Sequence, residues 1–261
     1  MNIPTLASCV AAGKFPEVLF WVGCAGSLDQ RAQRISKAFA FILQKAGIDF
    51  AILGKEECCT GDPARRAGNE FLFQMMAYQN IQTLNGYGVK KIVTTCPHCF
   101  NTLKNEYPEL GGNYEVIHHT ILLQQLIDQG KIRIKEGGVF KGKRIVYHDS
   151  CYLGRANGIY EAPRKVLELL DSELVEMQRC RSAGLCCGAG GAQMFKEEEK
   201  GNLRINKART DEALATSASV VVSACPFCNT MLTDGIKEAE KGDSVKVLDI
   251  AEIIEKEMIT E

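Results

Sequence analysis

Ten of the twelve cysteines in this 261-residue chain fall into two ordered sets. Cys24, Cys58, Cys59, Cys96 and Cys99 form the first. Cys151, Cys186, Cys187, Cys225 and Cys228 form the second. Each set reads Cys, then 33 or 34 residues, Cys-Cys, then 36 or 37 residues, and Cys-x-x-Cys. Thiolates are soft ligands, and so many in a reducing compartment point to metal binding or catalysis rather than to disulfides. Five in one place exceed the four that structural zinc takes and the four that a cubane [4Fe–4S] cluster requires. Neighbouring side chains point apart unless the backbone turns sharply. A Cys-Cys doublet therefore suits two metals of one polynuclear cluster, or one bridging thiolate, better than closure around a single ion. Gly188, Gly190 and Gly191 after the second doublet let backbone N–H groups approach sulfur without side-chain clash.

The sets repeat because the chain repeats. Offsets between matching cysteines are 127, 128 and 129 residues. "KIVTTCPHCFNTL" (91–103) parallels "SVVVSACPFCNTML" (219–232), and "EVIHHTILL" (115–123) parallels "KVLDIAEII" (246–254). A polar, Gly/Lys-rich stretch around 131–143 marks the boundary, giving units 1–135 and 136–261. β-Branched runs predict strands at 17–22, 49–53, 90–95 and 114–118, then at 143–148, 173–177, 219–223 and 245–249. Helical patterns fall at 28–46, 63–85, 97–106 and 119–129, then at 159–171, 193–216, 226–240 and 249–258. Strand–helix alternation predicts an α/β fold of two tandem, pseudo-twofold-related repeats. Each would be a small parallel βαβ sheet with flanking helices. Asp62 before Pro63 reads as a helix N-cap, and Gly47 as the stop of the first long helix. In such sheets ligands bind at the carboxyl ends of the strands. Cys24, Cys96, Cys151 and Cys225 each follow a predicted strand, so each quintet is expected to converge there.

Composition narrows the class. Net charge is -1 and 46% of residues are hydrophobic, an ordinary soluble balance with no argument for nucleic acid. No apolar run approaches a membrane span and no secretory leader is evident, so a cytoplasmic protein is expected, free or peripheral to a membrane complex. No G-x-G-x-x-G opens a helix after a strand, which argues against a flavin or nicotinamide site.

On these motifs the chain resembles the CCG-domain family, the cysteine-rich domain of heterodisulfide reductase and its relatives. That family includes the iron–sulfur subunits of glycolate and lactate oxidases and the oxidoreductases beside electron-transfer flavoproteins. The pattern covers about 17–257. "SCYLGR…LCCGAGGAQM…ACPFCNTML" matches it closely, whereas "ECCTGDPARRAGNE" carries Thr60 where the pattern has Gly and looks more like the flavoprotein-linked relatives. The resemblance implies two noncubane [4Fe–4S] clusters, one on each quintet, and a disulfide substrate cleaved between them by one-electron steps. The larger relatives also carry ferredoxin-type cysteine runs. This sequence has none, which implies electron exchange with a separate ferredoxin-like or flavoprotein subunit. The alternative is a pure relay between a flavin dehydrogenase and quinone, with no substrate of its own. A zinc or redox-sensing protein is a third reading.

Other residues carry weaker expectations. His148 and Asp149, just before Cys151, are candidates to supply a proton or a hydrogen bond at the second cluster. His98 reads as packing beside the first. His118 and His119 read as surface or capping residues, Arg65 and Arg66 as a charge-offsetting pair or a solvated face, and Arg155 and Arg204 likewise. Trp21 reads as core, "KEEEKG" (196–201) as plain surface, and Cys9 and Cys180 as bystanders.

Overall fold

The computed structural model describes residues 3–197 and 201–259. Chain order begins with helix α1 (Leu6–Ala11), strand β1 (Val18–Trp21), α2 (Gly23–Leu28), α3 (Gln30–Lys45) and β2 (Phe50–Ala51). Then come α4 (Asp62–Arg66), α5 (Glu70–Gly86), β3 (Lys91–Thr94), α6 (Pro97–Asn101), β4 (Glu115–His118) and α7 (His119–Asp128). The second half runs β5 (Arg144–Tyr147), α8 (Glu161–Leu167), β6 (Glu173–Val175), α9 (Ile205–Ala215), β7 (Val220–Ser223), α10 (Pro226–Glu238), β8 (Lys246–Asp249) and α11 (Ile250–Glu257).

These strands build two four-stranded parallel sheets of identical order, β2-β1-β3-β4 and β6-β5-β7-β8. In register, Trp21 pairs with Thr94 and Thr94 with His118; in the second sheet Tyr147 pairs with Val222 and Ser223 with Asp249. The central strands "VLFW" and "VVVS" are buried throughout, as a sheet covered on both faces requires. The predicted α/β class and tandem repeat therefore hold.

One core spans both halves. Ile35, Phe39, Ile42 and Leu43 of α3 share a cluster with Ile250, Ile253 and Ile254 of α11 and with Val220 and Val222 of β7. Phe20 meets Phe39 edge-to-face at 5.1 Å. Each such buried side chain contributes about 1.5–3 kcal/mol. Arg31 of α3 adds a polar tie: it forks onto Glu252 of α11 (2.6 and 2.8 Å) and donates to the Val247 carbonyl (2.9 Å).

All eight strands lie where the β-branched runs predict them, but several helices differ. The 28–46 pattern splits at Asp29, whose carboxylate caps α3 through the Ala32 N–H. The 63–85 pattern splits into α4 and α5. Gly61, not Asp62, is the cap of α4. The 97–106 pattern closes in a π-turn at 102–106. Only 205–215 of the predicted 193–216 helix forms, after a 3₁₀ turn at 193–195. Gly47 does follow the end of α3, at φ +66°. Residues 198–200 of the charge run lie outside the described residues. The N-terminal stretch docks: Thr5 bridges to Ile52, and Leu6 N–H donates to the Ile52 carbonyl.

Candidate metal centres

Each strand–helix junction delivers a thiol to the same end of its sheet. Cys24 lies in α2 just past β1, Cys96 caps α6 just past β3, and Cys225 caps α10 just past β7. In the first half, the Cys24 and Cys59 thiols hydrogen-bond, as do those of Cys96 and Cys99. Cys99 in turn senses the charges of Cys24 and Cys59. In the second half Cys151 pairs with Cys186, Cys186 with Cys187, Cys187 with Cys228, and Cys228 with Cys225. The two networks also touch. The Cys96 and Cys225 thiols hydrogen-bond across the halves.

Proton sharing follows. The hydrogen bond from Cys24 lowers the Cys59 thiol to about 7, while that same bond and burial push Cys24 up. Cys186 is likewise held far down, first by its bond to Cys151, and Cys151 is pushed up. Each pair is a thiolate cradled by a thiol, ready to release its remaining proton to a cation.

The doublets are not equivalent residue for residue. Gly61 and Gly188 lie at φ +88° and +92°, and each donates its N–H to a sulfur two residues back, Cys59 at 3.5 Å and Cys186 at 3.3 Å. A side chain at Gly61 would collide with Phe73, 2.9 Å from where its Cβ would stand. Cys24, Cys59 and Gly61 therefore match Cys151, Cys186 and Gly188, all at offset 127. Matching by residue identity sets Cys58 on Cys186 and Thr60 on Gly188, and the structure shifts that register by one. Thr60 stands where Cys187 stands, and each is 2% exposed. The first network thus joins four thiols and the second five. Among the described residues the Cys58 thiol makes no thiol–thiol hydrogen bond. Its main chain is clamped instead: Cys58 N–H donates to Asn80 Oδ1 (3.3 Å), and Asn80 Nδ2 donates to the Cys59 carbonyl (3.0 Å).

The surroundings differ between halves. At the first site Glu57 accepts the N–H groups of Val22 (3.0 Å) and Gly23 (2.5 Å); burial nevertheless lifts its carboxyl to about 7. Asp62 is buried and ion-paired with Arg66 and with His98 (2.9 Å). Burial works against the charged imidazole of His98, but the Asp62 carboxylate outweighs it and raises the pKa. The His98 ring stacks on Tyr152 of the second half at 4.1 Å and meets Phe227 edge-on at 5.2 Å. It is packing, as expected, and also a bridge between the halves. Arg65 and Arg66 both pair with Glu106. Arg155 donates to the Gly184 carbonyl (2.5 Å).

At the second site Asp149 is gripped by both terminal nitrogens of Arg164 (2.8 and 2.9 Å) and accepts the Arg181 N–H (2.6 Å). Burial pushes its carboxyl up, but these bonds outweigh it and hold it below the usual range. His148 is fully buried. Its Nδ1 accepts from Arg209 Nε (2.9 Å), and a ring nitrogen lies within 4.8 Å of the Cys187 and Cys228 sulfurs. Burial, then the Arg209 charge, pushes its pKa down to about 3.

His118 and His119 contradict the surface reading: both are 0% exposed. His119 Nε2 meets Asp249 Oδ1 at 3.0 Å across the halves, and His118 bonds Thr120 Oγ1 at 2.9 Å. Trp21 is fully buried, as expected. Reasoning from sequence missed Glu57, Asn80, Arg164 and Arg209. None stands in a spaced motif, and a buried arginine reads in sequence like an exposed one.

The donor set suits an iron–sulfur centre. It offers soft sulfurs whose hydrogen bonds run mainly to one another, with main-chain N–H groups on two of them. The family model described as "Cysteine-rich domain" (CCG) matches residues 18–104 and 145–233. The chain belongs to the CCG cysteine-rich domain family. Over 252 residues it is 47% identical to the "EtfAB:quinone oxidoreductase" of Syntrophomonas wolfei, covering 94% of this chain and 35% of that protein. It is 49% identical over 259 residues to the "Probable iron-sulfur-binding oxidoreductase FadF" of Bacillus subtilis, covering 99% and 36%. It is 36% identical over 245 residues to one subunit of the dihydromethanophenazine:CoB–CoM heterodisulfide reductase of Methanosarcina barkeri, covering 91% and 58%. The CCG chain thus spans about a third of the first two relatives. Like them it is of the iron–sulfur oxidoreductase kind. No helix among the described residues is long and apolar enough to cross a membrane.

Proposed function

We propose that this CCG chain is an electron-transfer unit with two iron–sulfur centres, passing electrons one at a time between a flavoprotein-side donor and a quinone-side acceptor. The observation that carries it is the hydrogen bond between Cys96 and Cys225, which puts the two ligand sets in direct contact. Cys24, Cys59, Cys96 and Cys99, with Cys58 beside them, would hold the first centre. Cys151, Cys186, Cys187, Cys225 and Cys228 would hold the second. The centres supply one-electron chemistry. The chain supplies burial, which excludes water, and N–H donors at Gly61 and Gly188, which offset thiolate charge. Identity to a protein named for the electron-transfer flavoprotein and quinone supports this over the alternatives.

A second reading, reduction of a disulfide at the second centre, is favoured by its complete five-thiol network and by likeness to the heterodisulfide reductase of Methanosarcina barkeri. His148 and Asp149 would flank that reaction. Electron paramagnetic resonance during anaerobic titration separates the two. Reduction by an electron-transfer flavoprotein with no new signal on adding a disulfide supports relay. A disulfide-induced signal at the second centre supports disulfide reduction.

A further inference from the structure

His148 is 0% exposed, and its Nε2 has no hydrogen-bond partner. An unpartnered buried donor costs about 1–3 kcal/mol unless something outside the protein completes it. Its other nitrogen is committed. Arg209 is also 0% exposed, and its Nε–H donates to His148 Nδ1 at 2.9 Å. A guanidinium cannot give up its proton, so Nδ1 must present a lone pair. The ring proton of the neutral imidazole is therefore on Nε2. Arg209 is itself fixed: its Nη1 donates to the Arg179 carbonyl (2.7 Å) and to Glu212 (2.6 Å). With Nδ1 occupied, Nε2 is the nitrogen left to face the Cys187 and Cys228 sulfurs within 4.8 Å. A nitrogen that carries a proton has no lone pair for a metal. It can only donate.

We propose that His148 is not a sixth metal ligand but an N–H donor to the second iron–sulfur centre, with Arg209 as the positioning residue that fixes its tautomer. The inference rests on the reading that the second quintet holds such a centre. A hydrogen bond to ligand sulfur or cluster sulfide stabilises the more negative, reduced state and raises the potential. His148 lies three residues before Cys151, and Trp21 lies three before Cys24. Trp21 is also a fully buried ring with an unpartnered N–H, held in the apolar cluster that includes Cys96 and Cys99. The same strand end thus carries a ring N–H in both halves. Only the second is a histidine whose tautomer must be set, and that is the task of Arg209.

The test is pulsed paramagnetic resonance on the anaerobic, intact chain, comparing ¹⁵N-histidine labelling with natural abundance. The signal lost in Cys151→Ser identifies the second centre. A weakly coupled histidine nitrogen on that signal, absent in His148→Leu, is expected. Strong coupling, as from a bound nitrogen, or no histidine coupling in wild type would overturn the proposal, whatever the variants do. Redox titration adds a second reading. In His148→Leu the ratio of reduced to oxidised second centre at a fixed potential should fall at least tenfold, equal to 59 mV for one electron. Arg209→Gln should shift it the same way, His148→Gln should restore part of it, and the first centre should not move. An unchanged ratio at full iron content in both His148→Leu and Arg209→Gln contradicts the tuning role alone. A chain without iron contradicts the metal reading beneath it as well.

Discussion

Cys96 and Cys225 occupy matching places at the carboxyl ends of β3 and β7, and their thiols hydrogen-bond to each other. The two metal-binding ends of the duplicated fold therefore face one another. Tyr152 stacked on His98 closes one side of the junction, and His119 bonded to Asp249 ties the same halves elsewhere.

Contact between the ligand sets makes the centres neighbours, so Cys225→Ser should disturb both. Iron at the second site should fall, and the paramagnetic signal of the first should lose its spin–spin broadening. Iron content and relaxation rates read this directly. A first-centre signal identical to wild type would mean that the two do not communicate through this pair.

The shifted register of the doublets predicts unequal cysteines. Cys59→Ser should cost the first centre most of its iron, whereas Cys58→Ser should retain most of it. In the second half, Cys186→Ser and Cys187→Ser should both lose iron, because each bonds two other thiols or a thiol and an amide. Iron per chain in the four variants is the measurement.

Asp149 and Arg164 form a buried bidentate pair, each side chain 3% or less exposed. Asp149→Asn leaves the guanidinium with one carboxylate partner, Glu176. Breaking a buried pair on one side costs about 3–5 kcal/mol. A loss of that size in denaturant unfolding of the metal-loaded chain, with unchanged m-value, is expected. In the folded state the Asp149 carboxyl sits below its ordinary range. Its stabilisation is thus full above that ordinary range and is lost as pH falls through the depressed value. The acid-induced loss should shrink in Asp149→Asn.

Phe39 joins the halves through the shared core and meets both Phe20 and His119 edge-on, at 5.1 and 5.6 Å. Phe39→Ala should destabilise the whole chain by about 3–5 kcal/mol in one cooperative transition. Separate melting of two halves would contradict a common core.

Much of this was legible in the sequence, for reasons that differ by element. The strands were readable because runs such as "KIVT" and "VVVS" are β-branched and bounded by turns. The quintets were readable because spacing survives duplication. Helix ends were not. The pattern at 193–204 looked helical, yet Gly188, Gly191 and Ala192 take positive φ (+92°, +68° and +61°), which a helix cannot continue through. The doublet register was hidden because a Cys-Cys pair aligns with another Cys-Cys pair by identity, whereas backbone geometry aligns glycines. Arg164 and Arg209 escaped notice because burial of a charge depends on partners 12 to 61 residues away, Glu176 and Asp149 for one and His148 for the other.

Two iron–sulfur centres are tested most directly by the metal itself. Anaerobically purified chain should carry roughly eight irons and as many sulfides, the content of two four-iron clusters. Zinc alone, or iron without acid-labile sulfide, would contradict it.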